Sequence, residues 1–225
     1  MPSPLTTHTA EIAATLKNFL VSEKKRLASV SSTCARLVSD CQNLALRGKM
    51  IRGNLVCLGY TLAGKPVDQT CLKLAAAIEL AHTALLVHDD IMDGDTLRRG
   101  TLALHARYTT YAARKKMRGP QRFGEATAIC LADMAFFWTF NLAAQAFTKH
   151  PQLLGAALQL LSEELAAVGI AQAQDIHTGN TSAHTRLTTI MTTYRYKTAR
   201  YTFSLPLMLG AHAGHGNISL AETLS

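Results

Sequence analysis

Residues 68–91 read DQTCLKLAAAIELAHTALLVHDDI, and this stretch decides the fold class. Apolar side chains fall on nearly every side of a helical wheel, and a helix that is apolar all round belongs in the middle of a bundle. The pattern lacks strict alternation, so the spacing predicts a helix over 68–90 rather than a strand. That helix ends in His88, Asp89 and Asp90, with Asp93 shortly after. At about 100° per residue, Asp89 and Asp93 lie about 40° apart, on one face and one turn apart. A central helix therefore delivers two carboxylates at its C-terminal end, where the macrodipole is already negative. A cation would compensate them. Mg²⁺ suits the pair, because it takes oxygen ligands and is typically held by one or two carboxylates plus substrate phosphates. The residues alone also admit a solvated acidic helix end. An EF-hand fails, since the twelfth loop position from Asp89 is Gly100 rather than Glu. Zinc is disfavoured, since no thiolate pairs with His82 or His88.

Outward from this helix the rest of the chain also reads as helical. Pro4, Pro66, Pro120, Pro151 and Pro206 enclose long Ala- and Leu-rich stretches, and no Asn-Gly or Asp-Gly hairpin joins β-branched runs. Helices are expected over 8–29, 33–46, 49–62, 68–90, 101–116, 123–148, 152–178, 185–210 and 217–224. The linkers 63–67, 118–122 and 149–151 are too brief to separate domains. The expectation is one all-α domain over 1–225, a single antiparallel bundle.

Composition narrows the function classes. With 48% hydrophobic and 17% charged residues, the chain has enough apolar surface for a core and is not intrinsically disordered. Its five cysteines form no CxxC pair, which suits a reducing compartment and buried thiols. A net charge of +8 attracts anions: nucleic acid, anionic lipid or phosphorylated small molecules. The N-terminus carries no signal-peptide pattern. The most membrane-like stretch, 126–147, contains Asp133, Asn141 and Gln145, so it is read as a buried helix of a soluble protein.

Two basic groups choose among the anions. Arg98-Arg99-Gly100 follows the carboxylates directly, and guanidinium groups suit bidentate phosphate contacts. Upstream, Gly48-Lys49-Met50-Ile51-Arg52 sets Lys49 and Arg52 three apart on one helical face. A P-loop is excluded, because Met50 follows Lys49 where Ser or Thr is required. Paired basics beside a metal-type carboxylate pair describe a site for a diphosphate bridged by Mg²⁺.

The chain resembles the trans-isoprenyl diphosphate synthases, the polyprenyl synthetases. AIELAHTALLVHDDIMDGDTLRRG (77–100) is similar to that family's first aspartate-rich region, DDxxD followed by RRG, and GKMIR (48–52) to its GKxxR motif. FGEATAICLADMAFF (123–137), AQAQDI (171–176) and KTARYTFSLPLMLGA (197–211) resemble three further segments in family order. The resemblance implies an isoprenoid-synthase-like helical bundle around a central cavity. The implied enzyme is a cytoplasmic, Mg²⁺-dependent transferase that condenses isopentenyl diphosphate with an allylic diphosphate. It further implies that Asp89 and Asp93, with Asp90 beside them, hold Mg²⁺ on the allylic diphosphate, which Arg98 contacts. Lys49, Arg52, His82 and Arg99 would bind the diphosphate of isopentenyl diphosphate. Lys197 and Thr198 would sit near the leaving diphosphate, with Gln172 and Asp175 behind them. Ala81, Ala84 and Leu85 would form the floor of the product tunnel. With no aromatic among them, a product of geranylgeranyl length or longer is expected. A homodimer, or a heteromer with a complete synthase, is the expected assembly.

The chain departs from the family pattern in places. Arg47, Gly53, Ala132 and Ala171 replace a Gly, a Pro, a Gly and a Gly, and a basic insertion spans 111–122. The family's second aspartate-rich motif has no counterpart: after Asp175 the only acidic residue is Glu222. The expectation is a C-terminally incomplete bundle, with SLPLMLGAHAG (204–214) left exposed as an apolar patch. A non-catalytic partner subunit is the alternative. A class I terpene cyclase, which shares DDxxD, and a basic nucleic-acid-binding protein are more remote ones.

Overall fold

In a computed structural model that describes residues 5–181 and 185–215, the chain is almost entirely helical. The helices are α1 (Thr9–Ala28), α2 (Ser32–Ala45), α3 (Ile51–Leu62), α4 (Gln69–Met92), α5 (Leu104–Arg114), α6 (Pro120–Ala146), α7 (Leu154–Gly179), α8 (Leu187–Tyr194) and α9 (Leu205–His215). A 3₁₀ turn, Pro151–Leu153, precedes α7, and a π-helical segment, Arg195–Ser204, joins α8 to α9. The one sheet among the described residues is a two-stranded hairpin, β1 (Leu97–Arg98) with β2 (Thr101–Leu102). The all-α expectation holds.

The chain divides into two compact units. The first gathers Met1–Thr15, Lys49–Ile78 and Phe140–Ser225, and the second Leu16–Gly48 and Glu79–Thr139. In the first unit, α3 and α9 pack with unusual closeness. A Cβ on Gly210 would run into the Val56 carbonyl, and one on Gly59 into the Leu207 carbonyl. Leu205, Met208, Leu209 and Ala211 are buried in this contact zone. The expected exposed patch at 204–214 is therefore not where the sequence put it. In the stretch that leads into α9 the exposed apolar side chains lie earlier, Leu187, Met191, Tyr194 and Phe203 among them. The physical reason is the pair of glycines, which lets two backbones approach where larger residues would hold them apart.

Asn54, fully buried, ties the first unit's helix starts together. Its amide donates to the Met50 carbonyl at 2.8 Å and to Thr9 Oγ1 at 3.1 Å, while its Oδ1 accepts from the His8 N–H at 2.9 Å. In the second unit Leu16, Leu20, Val38, Leu80, Leu131 and Ala135 are inaccessible to solvent. There Glu23, also buried, accepts from Arg26 Nη2 at 2.6 Å and from the Trp138 indole at 2.8 Å. The expected buried thiols are Cys41, Cys57 and Cys71, whereas Cys130 is exposed. Burial pushes the Cys41 thiol up to about 12, which leaves it protonated and inert.

Element boundaries differ from expectation in instructive ways. The helix expected over 101–116 begins at Leu104, because 97–102 turns back as the hairpin. That expected over 123–148 begins at Pro120, whose missing N–H costs nothing at a first helical position. The single helix expected over 185–210 is α8, the π segment and α9 in succession. The helix expected over 217–224 lies outside the described residues. Three helices are long and apolar enough to cross a membrane by length and composition: Gln69–Met92, Pro120–Ala146 and Pro151–Gly179. The first has 72% of its apolar window buried within the protein, the last 17%.

Candidate functional site

The second unit carries the acidic end of α4. The helix closes with left-handed Gly94: the Gly94 N–H donates to the Ile91 carbonyl and the Asp95 N–H to the Asp90 carbonyl at 2.9 Å. That pair of bonds is a Schellman stop, which satisfies the last helical carbonyls. Asp93 sits at its edge, and its N–H donates to the Asp89 carbonyl at 2.8 Å, so the helical step between them is kept. Asp89 is half-buried and Asp93 exposed, but Asp90 is only 3% exposed. Three adjacent-looking carboxylates therefore have different environments.

Asp90 turns inward to meet Arg98. The Arg98 Nε donates to Asp90 Oδ1 at 2.6 Å, and its Nη2 donates to the same oxygen and lies 3.5 Å from Asp95. Burial pushes the Asp90 carboxyl above its ordinary value, and Arg98 only partly opposes this. The guanidinium is held more firmly charged by Asp90. The hairpin places Arg98: it pairs Leu97 with Leu102 and Arg98 with Thr101, leaving Arg99-Gly100 as a two-residue loop. Both loop residues have positive φ, 51° and 76°, as a type I′ turn demands. Glycine adopts this freely, whereas Arg99 pays about 1–2 kcal/mol. Strain of that kind is found where a side chain has to be aimed.

Beside the hairpin lies a pocket lined by arginines 47, 98, 99 and 107 together with Asp40 and Asp90. Arg107 pairs with Asp40 on α2 at 2.9 Å, and the Tyr108 hydroxyl donates to the same carboxylate. Arg47 donates to Thr101 Oγ1 at 3.2 Å.

The first unit carries the other group. Met50, with φ 54°, is left-handed between Lys49 and α3. Arg52 Nη2 donates to Thr202 Oγ1 at 2.8 Å, its guanidinium lies 4.6 Å above the Tyr201 ring, and its buried Nε has no hydrogen-bond partner among the described residues. Lys197 Nζ donates to Asp175 at 2.7 Å; with Thr198 and Thr178 they line a cleft of about 320 Å³. Gln172 is 6% exposed, yet neither polar atom of its amide has a hydrogen-bond partner among the described residues. An unpaired buried amide costs about 1–3 kcal/mol, which a ligand oxygen would relieve. Lys197, Thr198, Tyr201 and Thr202 all lie on the π-helical segment, a form enriched at functional sites.

Of the sequence-predicted residues, Ala81, His82, Ala84, Leu85, Asp89, Asp90, Asp93, Arg98 and Arg99 thus belong to the second unit, and Lys49, Arg52, Gln172, Asp175, Lys197 and Thr198 to the first. Ala81 and Ala84 are fully buried, and Leu85 and His82 half-buried. Sequence reasoning missed Asp40 and Arg107, Tyr201 and Thr202, and took Arg47 only as a departure. Nothing in local pattern marks the first four. Arg47 had one signal, a third basic residue beside Lys49 and Arg52.

The donor set fits Mg²⁺. Among the described residues no three Asp, Glu, His or Cys side chains form a cage. Asp89 and Asp93 instead offer the two-carboxylate arrangement that leaves a hard cation's remaining positions to phosphate and water oxygens.

Comparison with known proteins bears on the family. A family model described as polyprenyl synthetase matches residues 36–224. A short chain isoprenyl diphosphate synthase of Methanocaldococcus jannaschii is 29% identical over 165 residues, 73% of this chain and 45% of the relative. A geranylfarnesyl diphosphate synthase of Aeropyrum pernix is 32% identical over 133 residues, 57% of this chain and 37% of the relative. Among solved structures, a geranylgeranyl pyrophosphate synthase from Corynebacterium glutamicum, complexed with isoprenyl diphosphate and magnesium, superposes with a TM-score of 0.90 at 25% identity. It is matched by 98% of this chain over 63% of its own length. The chain thus spans less than half of these two curated relatives.

Proposed function

The chain belongs to the polyprenyl synthetase family, and from that premise we propose that it serves a Mg²⁺-dependent trans-prenyltransferase that condenses isopentenyl diphosphate with an allylic diphosphate. One observation carries the reading. The end of α4 keeps Asp89 and Asp93 one turn apart, while the following hairpin pins Arg98 on the buried Asp90. Asp89 and Asp93 would offer two carboxylates to a cation, and Arg98 one oriented guanidinium to a diphosphate.

Asp89 and Asp93 would hold Mg²⁺, which neutralises diphosphate charge and acts as a Lewis acid on its oxygens. Arg98, fixed by Asp90, adds a preorganised charge where negative charge develops as the allylic C–O bond ionises. Arg52 and Lys49, with His82 and Arg99, would hold the diphosphate of isopentenyl diphosphate, whose double bond attacks the allylic carbon. Lys197, Thr198 and Gln172 would face the departing diphosphate, which then takes the proton lost from the condensed product. Ala81, Ala84 and Leu85 would line the tunnel that excludes water from the cation. No protein nucleophile is required.

The same reading takes the protein as one domain, soluble and cytoplasmic, that pairs with a second copy. Phe137, 74% exposed, and Ile129 on α6 supply an apolar face for that contact. The test is incubation of the chain, and of any longer form that contains it, with both substrates and Mg²⁺, followed by chromatography. A prenyl product is expected. No product from the longer form, and no Mg²⁺-dependent pyrophosphate binding by calorimetry, would overturn the reading. A non-catalytic subunit is favoured instead by the existing Lys197–Asp175 pair, which a substrate phosphate would have to break. Co-purification with a complete synthase, without turnover by this chain, would select it.

A further inference from the structure

Arg47 replaces a glycine of the family motif, and its place in the fold gives it a use. It follows α2 directly and reaches the hairpin, where its Nη1 donates to Thr101 Oγ1. The pocket it lines holds four guanidinium groups. Two are matched: Arg98 by Asp90 and Asp95, and Arg107 by Asp40. Among the described residues Arg47 and Arg99 have no carboxylate partner. Arg99 is also held there at a backbone strain that its turn does not require of an arginine. Both are fork-shaped donors that line the same pocket, and a diphosphate offers each of them a bidentate oxygen pair.

We propose that Arg47 is a diphosphate-binding residue, which with Arg99 grips a diphosphate group in this pocket of the second unit. The inference rests on the prenyltransferase reading for its ligand class, but not for its geometry. It assigns to the turn after α2 a part in substrate capture. Because Arg47 is exposed, its contribution is set by a charge-assisted hydrogen bond at a wet site, the lower end of the usual range.

Calorimetric titration of the full chain with inorganic pyrophosphate, in chelator so that no metal contributes, tests it. Arg47→Ala is expected to weaken binding about fivefold to tenfold. Arg47→Gln, which keeps a donor for Thr101 but loses the charge, should weaken it by a similar factor. Thr101→Val, which removes the clamp and keeps the charge, should change it less than about twofold. Unchanged affinity in both Arg47 variants, or an equal loss in Thr101→Val, would overturn the proposal and leave Arg47 a hairpin clamp. Absence of metal-free pyrophosphate binding by the wild type would overturn it as well. Repeating the titration with isopentenyl diphosphate identifies the source: equal losses mean any diphosphate is gripped, and a loss for pyrophosphate alone marks the released product. A parallel titration of Asp89→Ala with Mg²⁺ separates the two readings. If Mg²⁺-dependent binding survives Asp89→Ala while Arg47→Ala still weakens metal-free binding, the prenyltransferase reading fails and this inference stands. The reverse pattern sinks only the inference.

Discussion

The two units hold their charged groups by opposite means. In the second, the charges are set by backbone turns: a Schellman stop places Asp93, and a type I′ hairpin returns Arg98 to Asp90. One carboxylate, that of Asp90, is spent on fixing an arginine. In the first, the groups ride on a widened helix. Lys197 is already closed onto Asp175, Arg200 is bound to the buried Glu164, and Arg52 rests on Tyr201 and Thr202 of the same segment. The difference teaches where a cation is wanted. The first unit's basic groups on the π segment are largely matched, whereas the second unit sets two carboxylates, Asp89 and Asp93, one helical turn apart ahead of a hairpin whose Arg99 has no carboxylate partner among the described residues.

The strongest way to break this contrast is to remove the acid. Asp89→Ala or Asp93→Ala is expected to lower Mg²⁺-dependent pyrophosphate affinity by about a hundredfold or more, with the helical circular dichroism unchanged. The fold should survive because removing like charge from a helix C-terminus is, if anything, stabilising. Unchanged affinity by calorimetry would mean that the carboxylates are a solvated helix end. In the first unit the corresponding blow falls on packing. Gly210→Val puts side-chain atoms where the Val56 carbonyl stands, and about 3 kcal/mol or more should be lost in urea unfolding.

Smaller effects sharpen the comparison. Ala84 is fully buried in the second unit, so Ala84→Phe should cost about 1–3 kcal/mol. In a form that turns over, the same change should shorten the product, which for the parent is expected at geranylgeranyl length or longer. Chromatography showing farnesyl diphosphate as the parent's end product would move the tunnel floor elsewhere. The smallest effect is electrostatic. The Arg26 guanidinium beside Glu23 holds its carboxyl below the ordinary 4.5, helped by the Trp138 indole and opposed by burial. The unfolded chain therefore takes up this proton first on acidification. The contribution is full above about pH 4.5 and fades as pH falls through the lowered folded value. Glu23→Gln should flatten the fall of Tm with pH in that window, and an unaltered profile would show that Glu23 titrates as in the unfolded chain.

Much of this was legible in the residues themselves. The all-round apolar pattern of 68–90 gives a central helix whatever surrounds it, and the four-residue step from Asp89 to Asp93 follows from helix geometry. The ordered motifs gave the family. Less legible was the hairpin at 97–102, which lacks the Asn-Gly or Asp-Gly that usually announces one. It relies on Arg99 accepting a left-handed conformation that local propensity would not assign to it. The π segment was equally hidden, since a helix that gains a residue per turn keeps the composition of an ordinary one.

Sequence by itself determined the helical class, the position of the carboxylates along the chain and the residue types able to meet a diphosphate. These depend on periodicity and chemistry, which are local. Only the tertiary structure decided which of Asp89 and Asp90 faces inward, because neighbours about 100° apart on a helix are distinguished solely by what packs against it. It likewise decided that 205–211 is buried by two glycines, and that Arg47 meets Thr101 across 54 positions of sequence. Burial and ion pairing are properties of the partners that a fold brings together, and those partners are distant in the chain.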